Sequence, residues 1–451
     1  MSGNDLFGAL HGTPEMQRIF SVRERLRAMI DVEVALARVE GRLGIIPATA
    51  AAAIAATASV DGLDIDAIIA GTQNVGYPIV PLTKQLGTLA GSEAAGYVHW
   101  GATTQDILDT ALVLGMRDGL ALLERDLLAI IAALAQSART YRDDVMAGRT
   151  HLQHALPITF GYKCAVWLDA LIDALDRLRA ARSRALRAQF GGAAGTLASL
   201  GDRGREVTVA LASDLGLNVP DAPWHADRSA FAELACAIGI ACGSLAKIAT
   251  DVILLMSTEV GEVFEPHAPG RGGSSTMPQK HNPIACEYVL ACTRGVHALV
   301  PLLLSAIAGD HERSTGPWQS EELALPQIFV LASAVFAQSL TIAGGMTVDT
   351  ARMRRNLDLT GGLIMSEAVA TALSAILGKS VAHHIVEGAC SRAMQQGHPL
   401  LDILAGDAAV TKHIDRARLE ALLDPQAYVG ESGAVVDRVL ARVRTIVPTT
   451  S

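Results

Sequence analysis

Apolar residues recur at alternating spacings of three and four through the middle of the chain, and this repeat constrains the fold most. The runs comprise Met116, Leu120, Leu123, Leu127, Ile130 and Leu134; Leu234, Ile238, Ala241, Leu245, Ile248, Val252 and Leu255; and, beginning a third, Leu168, Leu171, Leu175 and Leu178. The spacing predicts helices longer than three or four turns, each with one apolar seam. Long helices bury such seams against one another, which predicts an all-α bundle.

The second run also carries small residues on several sides, namely Ala235, Ala237, Gly239, Ala241, Gly243 and Ala246. They leave room for a neighbouring helix on more than one side. We therefore expect packing between subunits as well as within the chain, with a monomeric bundle as the alternative. Glycine- and proline-rich breaks predict a helical domain over 1–100, a central long-helix bundle over 101–345 and a C-terminal helical domain over 346–451. Strand patterns are nearly absent.

Charge and composition limit the partners. Lys and Arg number 37 and Asp and Glu 46, so the net charge is −9, and no basic block argues for nucleic acid. Six cysteines without a CxxC pair are expected to be reduced, and the N-terminus shows no signal peptide, which together predict a cytoplasmic protein. The uncharged stretch from Leu323 to Val348 is long enough for a membrane span, but it contains Pro326 and Gln338 and has acidic flanks. A buried core helix is the better interpretation.

Three polar loops carry candidate chemistry. The segment 265–287 combines glycines with Lys280 and Asn282, which suits a carboxylate whose charge grows during a reaction. It lacks the spacing of a P-loop, and a solvated surface loop is the alternative. The segment 99–106 places two threonines before a long helix, where free backbone amides favour anions or a simple cap. The segment 148–154 has two histidines, but no cysteines or paired carboxylates beside them, so acid–base chemistry is favoured over a metal.

These three segments together resemble the signatures of the fumarase/aspartase superfamily. The sequence GSSTMPQKHNP at 273–283, followed by Glu287, is highly specific, and THLQ at 150–153 and TTQD at 103–106 occur in the expected order. The flanking sequence, including AQFGGAAGTLASLG and GDHERSTGPW, is most similar to the 3-carboxy-cis,cis-muconate cycloisomerase subgroup. The resemblance covers almost the whole chain.

The resemblance implies a three-domain, all-α subunit. Its five long central helices would form a twenty-helix core in a homotetramer, with active sites shared between three subunits. It implies a di- or tricarboxylate substrate, β-elimination or its reverse through an aci-carboxylate dianion, and neither cofactor nor metal. Such a dianion needs donors placed where charge develops.

The resemblance also implies roles for individual residues. Ser274 would be the general base, activated within a closed loop, while Lys280 and Asn282 would hold the dianion. His151 would protonate the leaving group, and Glu287 would pair with it. The predicted substrate-binding residues are Thr103, Thr104, His99, Gln189 and Arg313, although helix capping or core packing is the alternative for the last three.

Two departures bear on the substrate. Adenylosuccinate lyases, which are similar in outline, carry a phosphate-binding arginine where this chain has Glu322, and a histidine where it reads Thr72-Gln73-Asn74. A nucleotide substrate is therefore disfavoured. Some cycloisomerases carry tryptophan where this chain has His151, and lactonisation needs no acid for a leaving group. A C–N lyase that releases fumarate from an N-substituted aspartate, such as iminodisuccinate, is thus the alternative. A lens-crystallin-like structural role is disfavoured, because Ser274 and His151 are both present.

Overall fold

The computed structural model describes residues 6–267, 270, 272–273, 276–277 and 279–446. Within them the chain is mainly helical, which confirms the predicted all-α class. The predicted seams lie on three long helices, which are α7 (Thr104–Thr140), α8 (Phe160–Ala185) and α10 (Ser229–Met256). Every seam residue of the three runs is buried, as the periodicity requires.

Two further long helices follow, α11 (Ile284–Ala306) and α12 (Pro317–Gly345). Before α7 lie α1 (Gly8–His11), α2 (Pro14–Ile19), α3 (Val22–Arg42), α4 (Ala48–Thr57), α5 (Ile65–Val75) and α6 (Ile79–Ala90), and α9 (Gly204–Leu215) precedes α10. The C-terminal helices are α13 (Thr350–Leu357), α14 (Ser366–Leu377), α15 (Lys379–Gln396), α16 (Leu400–Ala405), α17 (Ala408–Thr411), α18 (Arg416–Leu422) and α19 (Ser432–Arg444).

The polar segment between α7 and α8 is a β-hairpin, whereas the sequence suggested a loop. Strand β1 (Val145–Thr150) pairs antiparallel with β2 (Gln153–Thr159), with Thr150 opposite Gln153. Its alternation of apolar and polar residues is too short to stand out beside the long helical repeats. A second, smaller pairing joins β3 (Val263–Phe264) to β4 (Thr347–Val348).

The described chain divides into two compact units, each built from three stretches. Unit 1 contains the described part of Met1–Leu127, Asp173–Ala246 and Tyr288–Gln338; unit 2 contains Leu128–Ile172 and the described parts of Lys247–Glu287 and Ser339–Ser451. Inside unit 1 the small residues of α10 permit a close approach of α11. The imidazole Nε2 of His297 lies 2.9 Å from the carbonyl oxygen of Gly239, where a larger residue would crowd the His297 and Val300 side chains.

Apolar surface remains on the long helices. By length and hydropathy alone, α10, α11 and α12 are each long and apolar enough to cross a membrane. If the bent pair of α13 and α14 is counted as one span, the described chain has up to four such candidates. Within the most apolar windows of α10, α11 and α12, 50%, 39% and 56% of the residues are buried inside the chain. The rest of that surface is open to another partner.

Candidate active site

The N-terminus of α7 is organised by Asp106. Its carboxylate accepts a hydrogen bond of 2.9 Å from the backbone N–H of Thr103, which closes the helix in the manner of a capping box. The same carboxylate accepts the N–H groups of Gly191 and Gly192, both at 2.9 Å, and lies 2.7 Å from Nε2 of His225. Asp106 therefore joins the TTQD segment to the FGGAAG segment.

Arg313 holds the same two segments. Its guanidinium donates to Thr103 Oγ1 at 3.0 Å, to Gln105 Oε1 at 3.2 Å, and to the carbonyl oxygens of Gly192 and Ala193 at 3.4 and 3.1 Å. These four bonds use most of the five N–H donors of a guanidinium. Arg313 is thus placed to fix the predicted carboxylate-binding loop, with little donor capacity left for a second carboxylate.

Thr104 and Gln189 have contrasting surroundings. Thr104 is the first residue of α7 and is half-buried, so its hydroxyl lies at a helix end that favours anions. Gln189 is fully buried. Its side-chain Oε1 accepts a hydrogen bond from the backbone N–H of Trp224 at 3.0 Å, and its own backbone N–H donates to Thr110 Oγ1 at 2.9 Å. These contacts are those of a core residue, which favours the packing alternative for Gln189.

A buried ion network lies beside this loop and was not predicted. Arg228 makes paired hydrogen bonds to Asp109, at 2.7 and 3.0 Å, and also bonds both oxygens of Glu321. Trp318 Nε1 donates to Asp109 at 3.0 Å. Burial raises the pKa of Glu321 to about 7 despite the opposing effect of Arg228. The spacing of Asp106 and Asp109 places both on one face of α7, but it does not identify their partners, which are distant in the sequence.

Glu322 extends the acidic character of this region. It lies 3.7 Å from the guanidinium of Arg25, and burial raises the pKa of its carboxyl while Arg25 acts to lower it. Both residues line a cavity that also contains Asp109 and Trp318. With three carboxyls and one arginine, this cavity is unsuited to a phosphate dianion.

His99 sits in a left-handed backbone conformation, with φ of 64°. Its Nδ1 lies 2.6 Å from Oε1 of the buried Glu33. Burial acts to lower the pKa of His99, but the hydrogen bond and charge of Glu33, with the charge of Asp106, outweigh it and raise the pKa. The side chain keeps 20% exposure. An imidazole that favours its charged form at an open edge can attract an anion.

His151 is the first of the two residues that turn the hairpin. His151 and Leu152 both have positive φ, 49° and 63°, in a two-residue turn that usually carries Asn-Gly. Such strain in non-glycine residues is concentrated at functional sites. Both side chains are exposed, Leu152 to 72%. The hairpin therefore presents His151 away from its own strands.

The hairpin is anchored near its tip by a buried carboxylate. Arg149 on β1 donates two hydrogen bonds, of 2.7 and 2.8 Å, to Glu262, which also accepts the amide of Asn356 at 2.7 Å. His154, opposite Arg149, has a lowered pKa because of burial and the Arg149 charge. These contacts hold the hairpin rigidly in unit 2.

The third loop leads into α11. The buried carboxylate of Glu265 caps the helix by accepting the N–H groups of Ala285 and Cys286, at 3.1 and 2.7 Å. Asn282 donates its backbone N–H to the carbonyl oxygen of Gly272 at 2.9 Å. Gly272 has φ of 64°, and a Cβ there would lie 2.6 Å from the Asn282 carbonyl oxygen.

The predicted catalytic residues of this loop lie around that helix start. Lys280 precedes it and is exposed, and Glu287 lies exposed in the first turn of α11. Ser274, the predicted base, lies outside the described residues, as do Arg271 and Ser275 of the segment 270–277 that we expect to close over a carboxylate. The predicted pairing of His151 with Glu287, on loops that we expect different subunits to supply, is not tested by a single chain and stays a prediction.

Comparison with known proteins identifies the family to which the chain belongs. A model described as Lyase matches residues 9–297, and one described as Adenylosuccinate lyase C-terminus matches residues 362–439. The chain is 45% identical over 441 residues to 3-carboxy-cis,cis-muconate cycloisomerase of Pseudomonas aeruginosa, covering 97% of this chain and 96% of that protein.

Two solved structures are similar over nearly their full length. The 3-carboxy-cis,cis-muconate lactonizing enzyme of Pseudomonas putida superposes with a TM-score of 0.94 at 44% identity, covering 98% of this chain and 99% of that one. A fumarate lyase from Mesorhizobium sp. BNC1 gives a TM-score of 0.90 at 44% identity, with the same coverage.

Proposed function

Because the chain belongs to the fumarase/aspartase superfamily of lyases, we propose that it is a cycloisomerase that lactonises 3-carboxy-cis,cis-muconate. The observation that carries the proposal is the 45% identity, over 97% of the chain, to an enzyme of that name. The acidic Arg25–Glu322 region does not suit a phosphate and therefore gives no support to a nucleotide substrate.

The reaction is an isomerisation in which no atoms are lost. One carboxylate oxygen of the substrate adds to a carbon–carbon double bond, which forms the lactone C–O bond and moves the electron pair onto the neighbouring carboxylate as an aci-carboxylate dianion. A proton is then delivered to the carbon beside that carboxylate. In the reverse direction, the same steps are a β-elimination.

The residues divide between these steps. Ser274 transfers the proton at carbon, and Lys280 and Asn282 stabilise the dianion, whose charge exceeds that of the ground state. Thr103 and Thr104, at the N-terminus of α7, bind a second carboxylate, with Arg313 fixing Thr103 by the 3.0 Å hydrogen bond. His99 provides a further positive group, supported by its contact with Glu33.

We propose that the functional unit is a homotetramer of three-domain subunits with a shared helical core. The apolar residues exposed on the long helices, Ile240, Leu254, Leu304 and Leu323 among them, support burial against other subunits. Shared sites would also allow His151 of one subunit to pair with Glu287 of another. Sedimentation velocity at micromolar concentration is expected to give a tetramer, and a stable monomer would contradict the assembly.

A C–N lyase is the second candidate, and the exposed His151 at the hairpin tip favours it. A neutral amine leaves only if it receives a proton, and an exposed imidazole such as that of His151 can supply one.

A substrate panel separates the two candidates. Ultraviolet absorbance follows loss of 3-carboxy-cis,cis-muconate, loss of cis,cis-muconate, which lacks the 3-carboxyl group, and appearance of fumarate from iminodisuccinate. The cycloisomerase proposal predicts rapid loss of the carboxymuconate alone, with Ser274→Ala protein as the control for uncatalysed change. Fumarate release from iminodisuccinate, without loss of the carboxymuconate, would select the C–N lyase.

A further inference from the structure

Helix α3 carries two buried carboxyl groups that the proposed mechanism does not use. Glu33 is 1% exposed and Glu40 is 0% exposed, and their separation of seven residues places them two turns apart on one face of the helix. Buried glutamates are rare unless paired or hydrogen-bonded. These two therefore call for a physical explanation.

Three of their four carboxyl oxygens lack a hydrogen-bond partner in the described part of the chain. Glu33 Oε1 contacts Nδ1 of His99 at 2.6 Å, but Glu33 Oε2 and both oxygens of Glu40 have none. Arg42, two residues from Glu40 along the helix, pairs instead with Asp214 at 2.7 Å. An ionised Glu40 would thus be a buried charge without compensation, which is costly.

A proton on Glu40 removes that cost. Burial and the negative charge of Glu33 raise the pKa of Glu40 to about 8. A protonated carboxyl supplies one O–H donor, and Glu33 Oε2, two helical turns away, is a buried acceptor without a partner in the described part of the chain. A hydrogen bond from protonated Glu40 to Glu33 Oε2, or two hydrogen bonds through one buried water between them, would give a partner to Glu33 Oε2 and to one oxygen of Glu40.

We propose that Glu40, Glu33 and His99 form a buried positioning chain for the substrate site. Neutral Glu40 donates to Glu33, Glu33 accepts the Nδ1–H of His99, and His99 then presents its Nε2–H to a substrate carboxylate. Carboxylate partners fix the tautomer and orientation of histidines in this way. The last link rests on the proposed function, whereas the first two do not.

Infrared difference spectroscopy tests the first link without a substrate. The spectrum of the wild type minus that of the Glu40→Gln variant, both at pH 7, should contain the carbonyl band of a protonated carboxylic acid. This band should shift when the spectra are recorded in D2O. Circular dichroism checks that the variant folds. If Glu40→Gln does not fold, the Glu40→Met variant provides the corresponding difference spectrum. Absence of a protonated-acid band would overturn the chain, even if turnover were normal.

A double-mutant cycle with the carboxymuconate substrate tests the last link. Glu33→Gln should raise KM about tenfold and change kcat by less than about threefold, because His99 contributes to binding in both ground and transition states. Glu24→Gln, on the same helix but paired with Arg27, is the matched control and should change neither constant by more than about twofold.

The same cycle shows whether Glu33 acts through His99. In a His99→Gln background, Glu33→Gln should have no further effect on KM, since the two residues work as one unit. An equal loss in both backgrounds would overturn the positioning role. If wild type fails to consume the carboxymuconate, the proposed substrate is wrong, and the infrared band still decides whether Glu40 holds a proton.

Discussion

Arg313 Nη1 donates a hydrogen bond of 3.0 Å to Thr103 Oγ1, across 210 residues of sequence. The same guanidinium bonds Gln105 and the carbonyl oxygens of Gly192 and Ala193. The predicted carboxylate-binding threonine is therefore set in place by a residue that we expected to bind a carboxylate itself. Asp106 completes the arrangement from the other side of the loop.

Arg313→Lys should weaken substrate binding. Lysine keeps the charge but cannot make the four hydrogen bonds of the planar guanidinium, so Thr103 loses its fixed orientation. We expect KM to rise about tenfold with a smaller change in kcat. Steady-state kinetics checks this, with Arg438→Lys, an exposed partner of Glu431, as the control. An unchanged KM would show that Thr103 needs no such support.

Ser274→Ala should abolish turnover but retain binding. A general acid or base contributes typically about 10²–10⁴-fold to the rate, whereas binding relies on Lys280, Asn282 and the threonines. Calorimetric titration of the variant with substrate should give a Kd within about threefold of the wild-type KM. Loss of the base raises the activation free energy of the reaction but leaves substrate binding unchanged. Ser275→Ala controls for loss of a neighbouring hydroxyl, and near-normal turnover of Ser274→Ala would refute the assignment.

His151→Gln should separate the two candidate reactions. An amine expelled without a proton leaves as an unstable anion, so a C–N lyase should lose about 10²–10⁴-fold in kcat. A lactonising enzyme should lose much less, because its carboxylate is already a competent nucleophile. The measurement is kcat on the best substrate of the panel, with His154→Gln on the same hairpin as the control. A harmless change on an amine substrate would contradict the role of His151 as the acid.

The positive φ angles of His151 and Leu152 at the hairpin tip should lower the stability of the folded protein. Replacing His151-Leu152 by Asn-Gly relieves two positive-φ positions, and we expect a gain of roughly 1 kcal/mol in the free energy of unfolding with loss of C–N lyase activity, should the enzyme have it. Urea denaturation at fixed protein concentration measures the gain. A lower midpoint would show that the tip is not strained or that Leu152 is buried in the assembly.

Glu40→Gln should change how stability depends on pH. The folded-state pKa of Glu40, about 8, is raised from 4.5, so the folded protein binds one more proton than the unfolded chain between these values. In the wild type, the contribution of Glu40 to the free energy of unfolding is full below pH 4.5. It is lost as the pH rises towards 8, by roughly 1.4 kcal/mol per pH unit at most. Relative to wild type, the variant should therefore gain stability from pH 5 to pH 8. Parallel curves from urea denaturation would contradict the buried proton.

The long helices and their caps could be predicted because their signals are local. Seam residues three and four apart, such as Leu120 and Leu123, share a face of one helix, and the threonines of TTQD lie at the N-terminus of α7 as expected. The hairpin and the ion network could not be predicted. Asp106 meets His225, and Asp109 meets Arg228, each across 119 residues, and no local spacing records such contacts. Which of the named residues touch substrate stays a prediction.

The most direct test of the proposed reaction is a proton NMR spectrum of the products formed from 3-carboxy-cis,cis-muconate in D2O. Lactonisation with proton delivery at carbon predicts a carboxymuconolactone that carries one solvent deuterium on the carbon beside a carboxylate, with no fumarate. Ser274→Ala protein should leave the substrate unchanged. Unchanged substrate with the wild-type enzyme, together with fumarate formed from iminodisuccinate, would contradict the account.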